Sequence, residues 1–343
     1  MDPAQPQCHS SRRVLVTGGA GFVGSHLTDL LLASGAHVTV VDDLSTGRRE
    51  NLPAANHDLR FIEGDLAGVL EGELAGVRFT HIHHLAAAVG VQRVMERPIE
   101  SIETNIWQTS ALLRFALTAG PDGEPCPTLL ASSSEVYGKG ARSPFREGDD
   151  CVLGPTTVTR WSYACSKAID EHLALAYADR LGLPVVVARL FNTVGPRQVG
   201  DYGMVLPRFV GAALDGDDLV VHGDGRQSRC FADVRDVVRD LDALLQTPEA
   251  SGRVVNVGAD EPITIGRLAD VVIETLSSRS QARMVPYDAV YGEGFEDLRE
   301  RRPDLSTLRT LTGIVRRTPL EVTIRDVAEA LRAGPRAASG AHA

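Results

Sequence analysis

The chain is poor in aromatic residues, which make up 5% of it, and holds only 2 Trp, 4 Met and 5 Cys. The cysteine count is odd, and Cys8, Cys126, Cys151, Cys165 and Cys230 show no zinc-ligand spacing. That argues against a disulfide framework or a structural zinc site and for reduced thiols. No apolar run approaches the length of a membrane span, and the N-terminus lacks the apolar stretch of a secretory signal. The expectation is a cytoplasmic protein with no membrane partner. Basic residues are in the minority, 35 Lys and Arg against 45 Asp and Glu, a formal net charge of −10. This balance argues against a nucleic-acid partner, which calls for a basic face, yet leaves room for an anionic small molecule held by local arginines. Repeats and low-complexity blocks are absent. Residues 1–11 and 334–343, rich in Pro, Ser, Gly and Ala, are expected to fray.

What is present is a 343-residue chain, 43% hydrophobic, enough for about two domains. Arg13–Thr17 is a short Val- and Leu-rich run that ends in Gly18-Gly19-Ala20-Gly21-Phe22-Val23-Gly24, and residues 25–32 then have helical character. Strand, glycine turn and helix in this order form a cradle for a pyrophosphate, because the turn lets the backbone approach the anion at the positive end of the helix dipole. The next apolar run, 37–41, ends on Asp42 and Asp43. An acid there accepts hydrogen bonds from both hydroxyls of an adenosine ribose and repels a ribose phosphate, which favours NAD over NADP. Asp42 is preferred because it directly follows the strand.

Further apolar runs at 59–62, 80–84, 128–131 and 184–189 alternate with helical stretches around 99–119 and 162–181. This alternation predicts an α/β fold, a Rossmann-type doubly wound parallel sheet. After residue 192 the pattern breaks into short elements, a helix near 204–215, a strand near 219–222 and a helix near 234–246, and 254–257 reads as a strand returning to the main sheet. The expected division is an NAD-binding domain over 12–191 with a return near 233–262, and a smaller C-terminal α/β substrate domain over 192–232 and 263–333. Ligands of such sheets bind outside the carboxyl ends of the strands. There the sequence places Gly64-Asp65-Leu66, His84-Leu85-Ala86-Ala87, Ser132-Ser133-Ser134-Glu135 and Phe191-Asn192. Tyr163 and Lys167, four apart in a helical stretch, share a face, so the ammonium is expected to lower the pKa of the phenol. His81, His83 and His84 cluster, but on a strand His84 faces away from the other two and no Cys or acid completes a ligand set, so no metal is expected.

Taken together, Thr17–Gly24, Asp42, Gly64–Leu66, His84–Ala87, Ser132–Gly138, Tyr163–Lys167, Arg189–Asn192, Gly195–Arg197 and Gly223–Arg229 resemble an extended short-chain dehydrogenase/reductase. The group is that of NAD-dependent nucleotide-sugar epimerases and dehydratases, and the likeness spans roughly residues 12–333. It implies a tightly held NAD that oxidises the sugar C4 hydroxyl and later returns the hydride. By that likeness Tyr163 is the base at the C4 hydroxyl, Lys167 binds the nicotinamide ribose, and Ser133 hydrogen-bonds the same oxygen as Tyr163. Gly18, Gly21, Phe22, Val23, Gly24, Asp42, Asp65, Leu66, Leu85, Ala86 and Ala87 complete the cofactor site. Asn192, Arg229 and Arg301 fall on the substrate diphosphate, Asp304 on the nucleoside ribose, and Arg208 and Val221 on the base pocket, with Ser133, Ser134 and Glu135 at the sugar. The likeness also implies a homodimer through the helices near 99–119 and 162–181.

Glu135 separates the reactions. Simple 4-epimerases of the group carry a hydroxyl or small residue there, whereas a Ser/Thr-Ser-Glu triplet resembles UDP-glucuronate decarboxylases and also GDP-mannose-type 4,6-dehydratases. A carboxylate beside C5 can relay a proton, and a C4 ketone makes a glucuronate a β-keto acid that loses carbon dioxide. Ser134 stands where dTDP-glucose dehydratases carry Asp, and Gly195-Pro196-Arg197-Gln198 continues without the extra Arg of UDP-glucuronate 4-epimerases. The expectation is a UDP-glucuronate decarboxylase giving UDP-xylose or its 4-keto form. The alternatives are a UDP-hexose or UDP-glucuronate 4-epimerase, a GDP-mannose-type dehydratase, and a noncatalytic dinucleotide-sensing binding protein.

Overall fold

A computed structural model describes residues 12–87, 96–140, 142–200, 204–286, 299–315 and 317–334. The expected fraying of 1–11 and 335–343, and the segment from Asp201 that follows Gly200, lie outside the described residues. Seven strands form one parallel sheet: β1 (Arg13–Thr17), β2 (His37–Asp42), β3 (Leu59–Glu63), β4 (His81–His84), β5 (Thr128–Ser133), β6 (Val185–Leu190) and β11 (Arg253–Val257). Their spatial order is β11-β6-β5-β4-β1-β2-β3. The central strands read as near-continuous apolar runs because both faces of the sheet are covered: Val14, Leu15 and Val16 of β1 are wholly buried. β11 pairs with β6 in parallel, Val254 opposite Val187 and Val257 opposite Leu190, so the late strand does return to the main sheet.

Helices α1 (Phe22–Ala33), α2 (Leu66–Glu71), α3 (Pro98–Ala116) and α4 (Trp161–Leu181) alternate with the strands. On one face α2, α3 and α4 pack on Leu15, Ile82, Leu130 and Val187. On the other, α1 packs on Val14, Val16 and Val38 together with the later helix α6 (Val234–Leu245). α6 follows its periodicity: Val234, Val237, Val238, Leu241, Leu244 and Leu245 are buried along one stripe, and the Asp233 side chain caps it by accepting from Arg235 N–H at 2.9 Å. α4 stops at Gly182, which adopts φ 67°, a left-handed conformation that favours glycine. α3 ends three residues earlier than the expected 119, at Ala116, since the chain turns there toward Gly120-Pro121.

A second body is built from α5 (Val205–Asp215), β8 (Leu219–His222), α7 (Ile265–Leu276), β13 (Ala282–Val285) and α9 (Leu320–Ala333). Leu206, Phe209, Val221, Leu268, Val272 and Ile324 form its core. The short strands β9 (Ser228–Cys230), β12 (Pro262–Thr264) and β14 (Glu300–Arg301) make a small mixed sheet at its inner edge, with β9 in the middle. β14 runs parallel to β9 with Arg301 opposite Arg229. α8 (Ser306–Thr312) joins the core beside α6, where Leu305 and Leu308 are buried with Leu241.

Candidate active site

The glycine turn is shaped by the carboxyl ends of β1 and β4. Gly18 adopts φ +68°, and a Cβ there would lie 2.7 Å from Ala86 N. A Cβ on Gly24 would overlap Gly18 O, so the first turn of α1 sits directly on the loop. Gly21 is the N-cap of α1 and makes no side-chain cap bond, and the amides of the first helical turn are oriented for an anion. Leu85 N donates to Thr17 O at 3.1 Å and Ala86 N to Thr17 Oγ1 at 3.2 Å. These bonds hold the backbone of Leu85 and Ala86 against Gly18.

Asp42 ends β2 beneath the turn. Its Oδ2 accepts from Ala20 N and its Oδ1 from Leu44 N, both at 2.9 Å. Burial raises its pKa, opposed by the Leu44 and Ala20 amides. A carboxylate has about four acceptor positions, so the two oxygens keep capacity for ribose hydroxyls. Asp43 instead turns its carboxylate to Ser45 N at 2.9 Å. Asp65 caps α2 through Gly68 N at 3.1 Å, and Leu66 goes into the core.

The Ser132–Glu135 segment lies where β5 ends. Ser133 Oγ accepts from Glu135 N at 3.2 Å and shares a hydrogen bond with the Tyr163 hydroxyl. Ser134, 3% exposed, opens a short 3-10 turn through Tyr137. Glu135 Oε1 accepts from Arg301 Nη1 at 2.6 Å, and Arg160 Nη2 stands 4.0 Å from its Oε2. Burial pushes the Glu135 pKa up, but the charges of Arg301 and Arg160, the Arg301 hydrogen bond and the Arg229 charge outweigh it and hold the carboxyl below its ordinary value.

Tyr163 and Lys167 share a face of α4, yet Lys167 has other partners. It is 2% exposed and donates to Ala131 O at 3.2 Å and to the buried Asp170 Oδ2 at 3.3 Å. An ammonium has three donors, and those contacts take two. The net shift of the Tyr163 pKa is upward. Burial first, then the Glu135 carboxylate, push the phenol well above its usual value, against the Ser133 hydrogen bond; Asp170 adds to the rise. The ammonium also stands near His84, whose pKa burial and then Lys167 lower to about 3. The neutral His84 ring is tied to Thr17 Oγ1 at 2.7 Å and to Thr109 Oγ1 at 3.3 Å.

On the opposite wall the two clamp candidates, Arg229 and Arg301, are neighbours in register, 9% and 7% exposed. Asn192 donates its amide to Cys230 O at 3.2 Å. Arg208 reaches His222 Nε2 at 3.3 Å and Val220 O at 3.4 Å. The side chain of Val221 is wholly buried in the second core, so a base-pocket role for that side chain does not fit. Asp304 is engaged locally. Its Oδ1 accepts from Ser306 Oγ at 2.6 Å and Ser306 N at 2.9 Å, and Arg146 stands 3.3 Å from Oδ2. Those Ser306 bonds, against burial, keep its carboxyl below the usual range.

Beneath the Ser133–Glu135 turn lies a buried polar network absent from the sequence reading. Arg189 pairs with Glu171 at 2.7 Å, Ser132 Oγ hydrogen-bonds Glu171 Oε1, and the guanidinium sits 4.6 Å from the centroid of the Tyr137 ring. Tyr137 stacks on Phe145 at 4.7 Å and donates to Asn256 Oδ1 at 2.7 Å. Arg160 was also missed; its spacing of three residues from Tyr163 was the available signal. A cavity of about 300 Å³ lined by His81, Pro127, Val186 and Leu244 lies at the amino ends of the strands, remote from this site.

A UDP-N-acetyl-alpha-D-glucosaminuronate decarboxylase of Bacillus cytotoxicus is 39% identical over 301 residues, 88% of this chain and 91% of that protein. UDP-glucuronic acid decarboxylase 1 of Danio rerio is 36% identical over 315 residues, 90% of this chain and 70% of that protein. Among solved structures, a UDP-N-acetylglucosamine 4-epimerase from Methanobrevibacter ruminantium in complex with UDP-N-acetylmuramic acid superposes with a TM-score of 0.83 at 29% identity, covering 94% of this chain and 98% of that one. Residues 14–258 match the model of the NAD dependent epimerase/dehydratase family. With the cradle, Asp42 and the Tyr163–Ser133 pair in place, the chain belongs to that NAD-dependent family of nucleotide-sugar enzymes.

Proposed function

We propose that the protein decarboxylates a UDP-linked uronate through a 4-keto intermediate. The observation that carries this reading is Glu135 itself, a carboxylate beside Tyr163 that Arg301 at 2.6 Å and Arg160 at 4.0 Å hold below its ordinary pKa. A carboxylate at that place suits proton transfer at the carbon next to C4, which C4 oxidation alone does not call for. The likeness to two uronate decarboxylases supports it.

The chain's own residues divide the work as follows. Gly18–Gly24 and the α1 N-terminus would hold the pyrophosphate of NAD, Asp42 the adenosine ribose and Lys167 the nicotinamide ribose. Bound NAD supplies the hydride acceptor at C4 and a positively charged ring that favours the phenolate. Tyr163 takes the C4 hydroxyl proton, and Ser133, hydrogen-bonded to it, holds the same oxygen. With a ketone at C4, the carboxylate at C6 is β to a carbonyl, and the bond to C5 breaks with its electrons passing toward the C4 oxygen. Ser133 and the protonated Tyr163 stabilise the charge developing there. C5 then needs a proton. Glu135, kept anionic by Arg301, serves as a relay: it takes a proton from solvent, passes it to C5 and returns to the anion, so one solvent proton is consumed for each carbon dioxide released. Arg229, Arg301 and Asn192 hold the diphosphate.

Incubation with UDP-glucuronate and with its 2-acetamido counterpart, followed by mass spectrometry, is expected to show loss of carbon dioxide from one of them. Appearance of a C4 epimer without mass loss would overturn the reading. Both arms are included because one of the relatives acts on the acetamido sugar. Glu135→Gln is expected to let a 4-keto species accumulate, since C5 protonation slows more than C4 oxidation; equal slowing of both steps counts against the relay. The same variant removes a negative charge that pushes the Tyr163 pKa up. The rising limb of the pH–rate profile for C4 oxidation therefore moves to lower pH.

The protein is further proposed to be a homodimer through α3 and α4, which pack together through Asn105 and Ser166 at 3.1 Å and expose Ile99, Trp107, Ile169 and Leu181. A monomer mass by light scattering would contradict this.

A further inference from the structure

We propose that Asp170 is a positioning residue that fixes Lys167 and offsets its charge, so that the cofactor pocket accepts the oxidised, positively charged form of nicotinamide. The inference rests on the reading that Lys167 meets the nicotinamide ribose beside Tyr163. Asp170 lies three residues beyond Lys167 on α4, with its Oδ2 3.3 Å from the ammonium, and both side chains are buried. A buried ion pair is no gain in stability by itself, since an apolar pair of similar volume often serves as well. A carboxylate in this place therefore has another use.

A directed chain of hydrogen bonds ties that carboxylate to the glycine cradle. Ala86 N donates to Thr17 Oγ1 at 3.2 Å, so the Thr17 hydroxyl gives its own proton to His84 Nδ1 at 2.7 Å. The neutral ring then carries its proton on Nε2 and donates to Thr109 Oγ1 at 3.3 Å. The Thr109 hydroxyl in turn acts on Asp170 and stabilises the anion. Each group after the first amide has one proton to give, so the direction of the chain is set at the turn that receives the dinucleotide.

Charge balance gives this arrangement its purpose. Without Asp170, Lys167 would stand as an uncompensated cation beside a cationic ring. His84 adds no charge, because burial and Lys167 keep it neutral. Glu171, next to Asp170, is matched by Arg189 at 2.7 Å, and Glu135 by Arg301 at 2.6 Å. Asp170 balances Lys167. It also acts on Tyr163, where it joins Glu135 in favouring the protonated phenol. The phenolate therefore waits for the charge that oxidised nicotinamide brings, and base and hydride acceptor become available together.

The test equilibrates full-chain protein at neutral pH with mixtures of NAD and NADH, whose reduced ring is neutral, then releases the bound nucleotide and reads its composition by absorbance. Removing a buried charge beside a cation corresponds to roughly a ten-fold change in affinity. Asp170→Asn keeps the shape and an acceptor for Lys167, and it is expected to shift the bound ratio toward NADH by about that factor. Thr109→Val, which withdraws a hydrogen bond from the anion, is expected to shift it the same way by less, and it decides the matter alone if Asp170→Asn does not fold. A bound ratio equal to that of the parent protein, even with both nucleotides held more weakly, would mean that Asp170 only packs α4 against α3 and would overturn the proposal. In Asp170→Asn the rising limb of the pH–rate profile for C4 oxidation is also expected to move to lower pH. A ratio that shifts while this limb stays would keep the Asp170 assignment and remove Tyr163 as the titrating base.

Discussion

Tyr163→Phe is expected to lower turnover by roughly a hundred- to ten-thousand-fold while NAD stays bound. In the proposed reaction the phenol accepts the C4 proton; it shares a hydrogen bond with Ser133 and feels the Glu135 charge. Its loss removes a hydroxyl and leaves the ring, so α4 and the glycine cradle should persist. The direction of its pKa sharpens the expectation. Burial and Glu135 favour the protonated phenol, so the protein itself supplies little phenolate, and a replacement without any titratable group has no route to bypass the step. The check is single-turnover reduction of the bound dinucleotide, read by absorbance after adding UDP-glucuronate, with NAD content measured on the same sample. Near-normal reduction in the variant would remove Tyr163 from the chemistry.

Glu171→Leu is expected to cost about 3–5 kcal/mol of stability. Glu171 and Arg189 are almost fully shielded from water, and Ser132 adds a hydrogen bond to the same carboxylate. Removing the carboxylate leaves the guanidinium buried without its counter-charge, next to the Tyr137 ring and the Glu147 carbonyl at 3.3 Å. Urea unfolding measures the loss. The double variant Glu171→Leu with Arg189→Met should recover a large part of it, because an apolar pair needs no compensation. A single variant as stable as the parent would show that the pair contributes nothing. The same pair fixes the end of β5, so the single variant should also loosen the Ser133–Glu135 turn and slow turnover.

Much of this was legible because the signals are local. The Val-rich runs of β1, β2 and β6 announce buried parallel strands, and Gly18 and Gly24 stand where any side chain would meet backbone. Ser133 and Tyr163 come together because a strand end and a helix start converge at the carboxyl edge of the sheet. The Asp170 partner of Lys167 was not legible, for an equally local reason. On a helix Lys167 can reach back to Tyr163 or forward to Asp170, and only the structure shows that Asp170 lies wholly buried beside it. The Asp304 turn onto Ser306 was readable as a local Asp-x-Ser pattern. Glu171 and Arg189 are 18 positions apart on different elements, so nothing in their neighbourhoods links them. Arg160 opens α4 without a capping side chain, which hid the start of the helix that would have placed it near Tyr163.

The placement of β11 has a consequence for how the chain is made. Arg253–Val257 closes the sheet beside β6, which is synthesised some sixty residues earlier. Until that late segment leaves the ribosome, the outer backbone of Val185–Leu190 is an unpaired, strongly apolar margin of the kind that recruits other chains. Truncated products that stop within the intervening stretch should therefore be sticky, and transplanting the nucleotide-facing portion onto another scaffold requires two separate cuts with Arg253–Val257 left behind on its original partner.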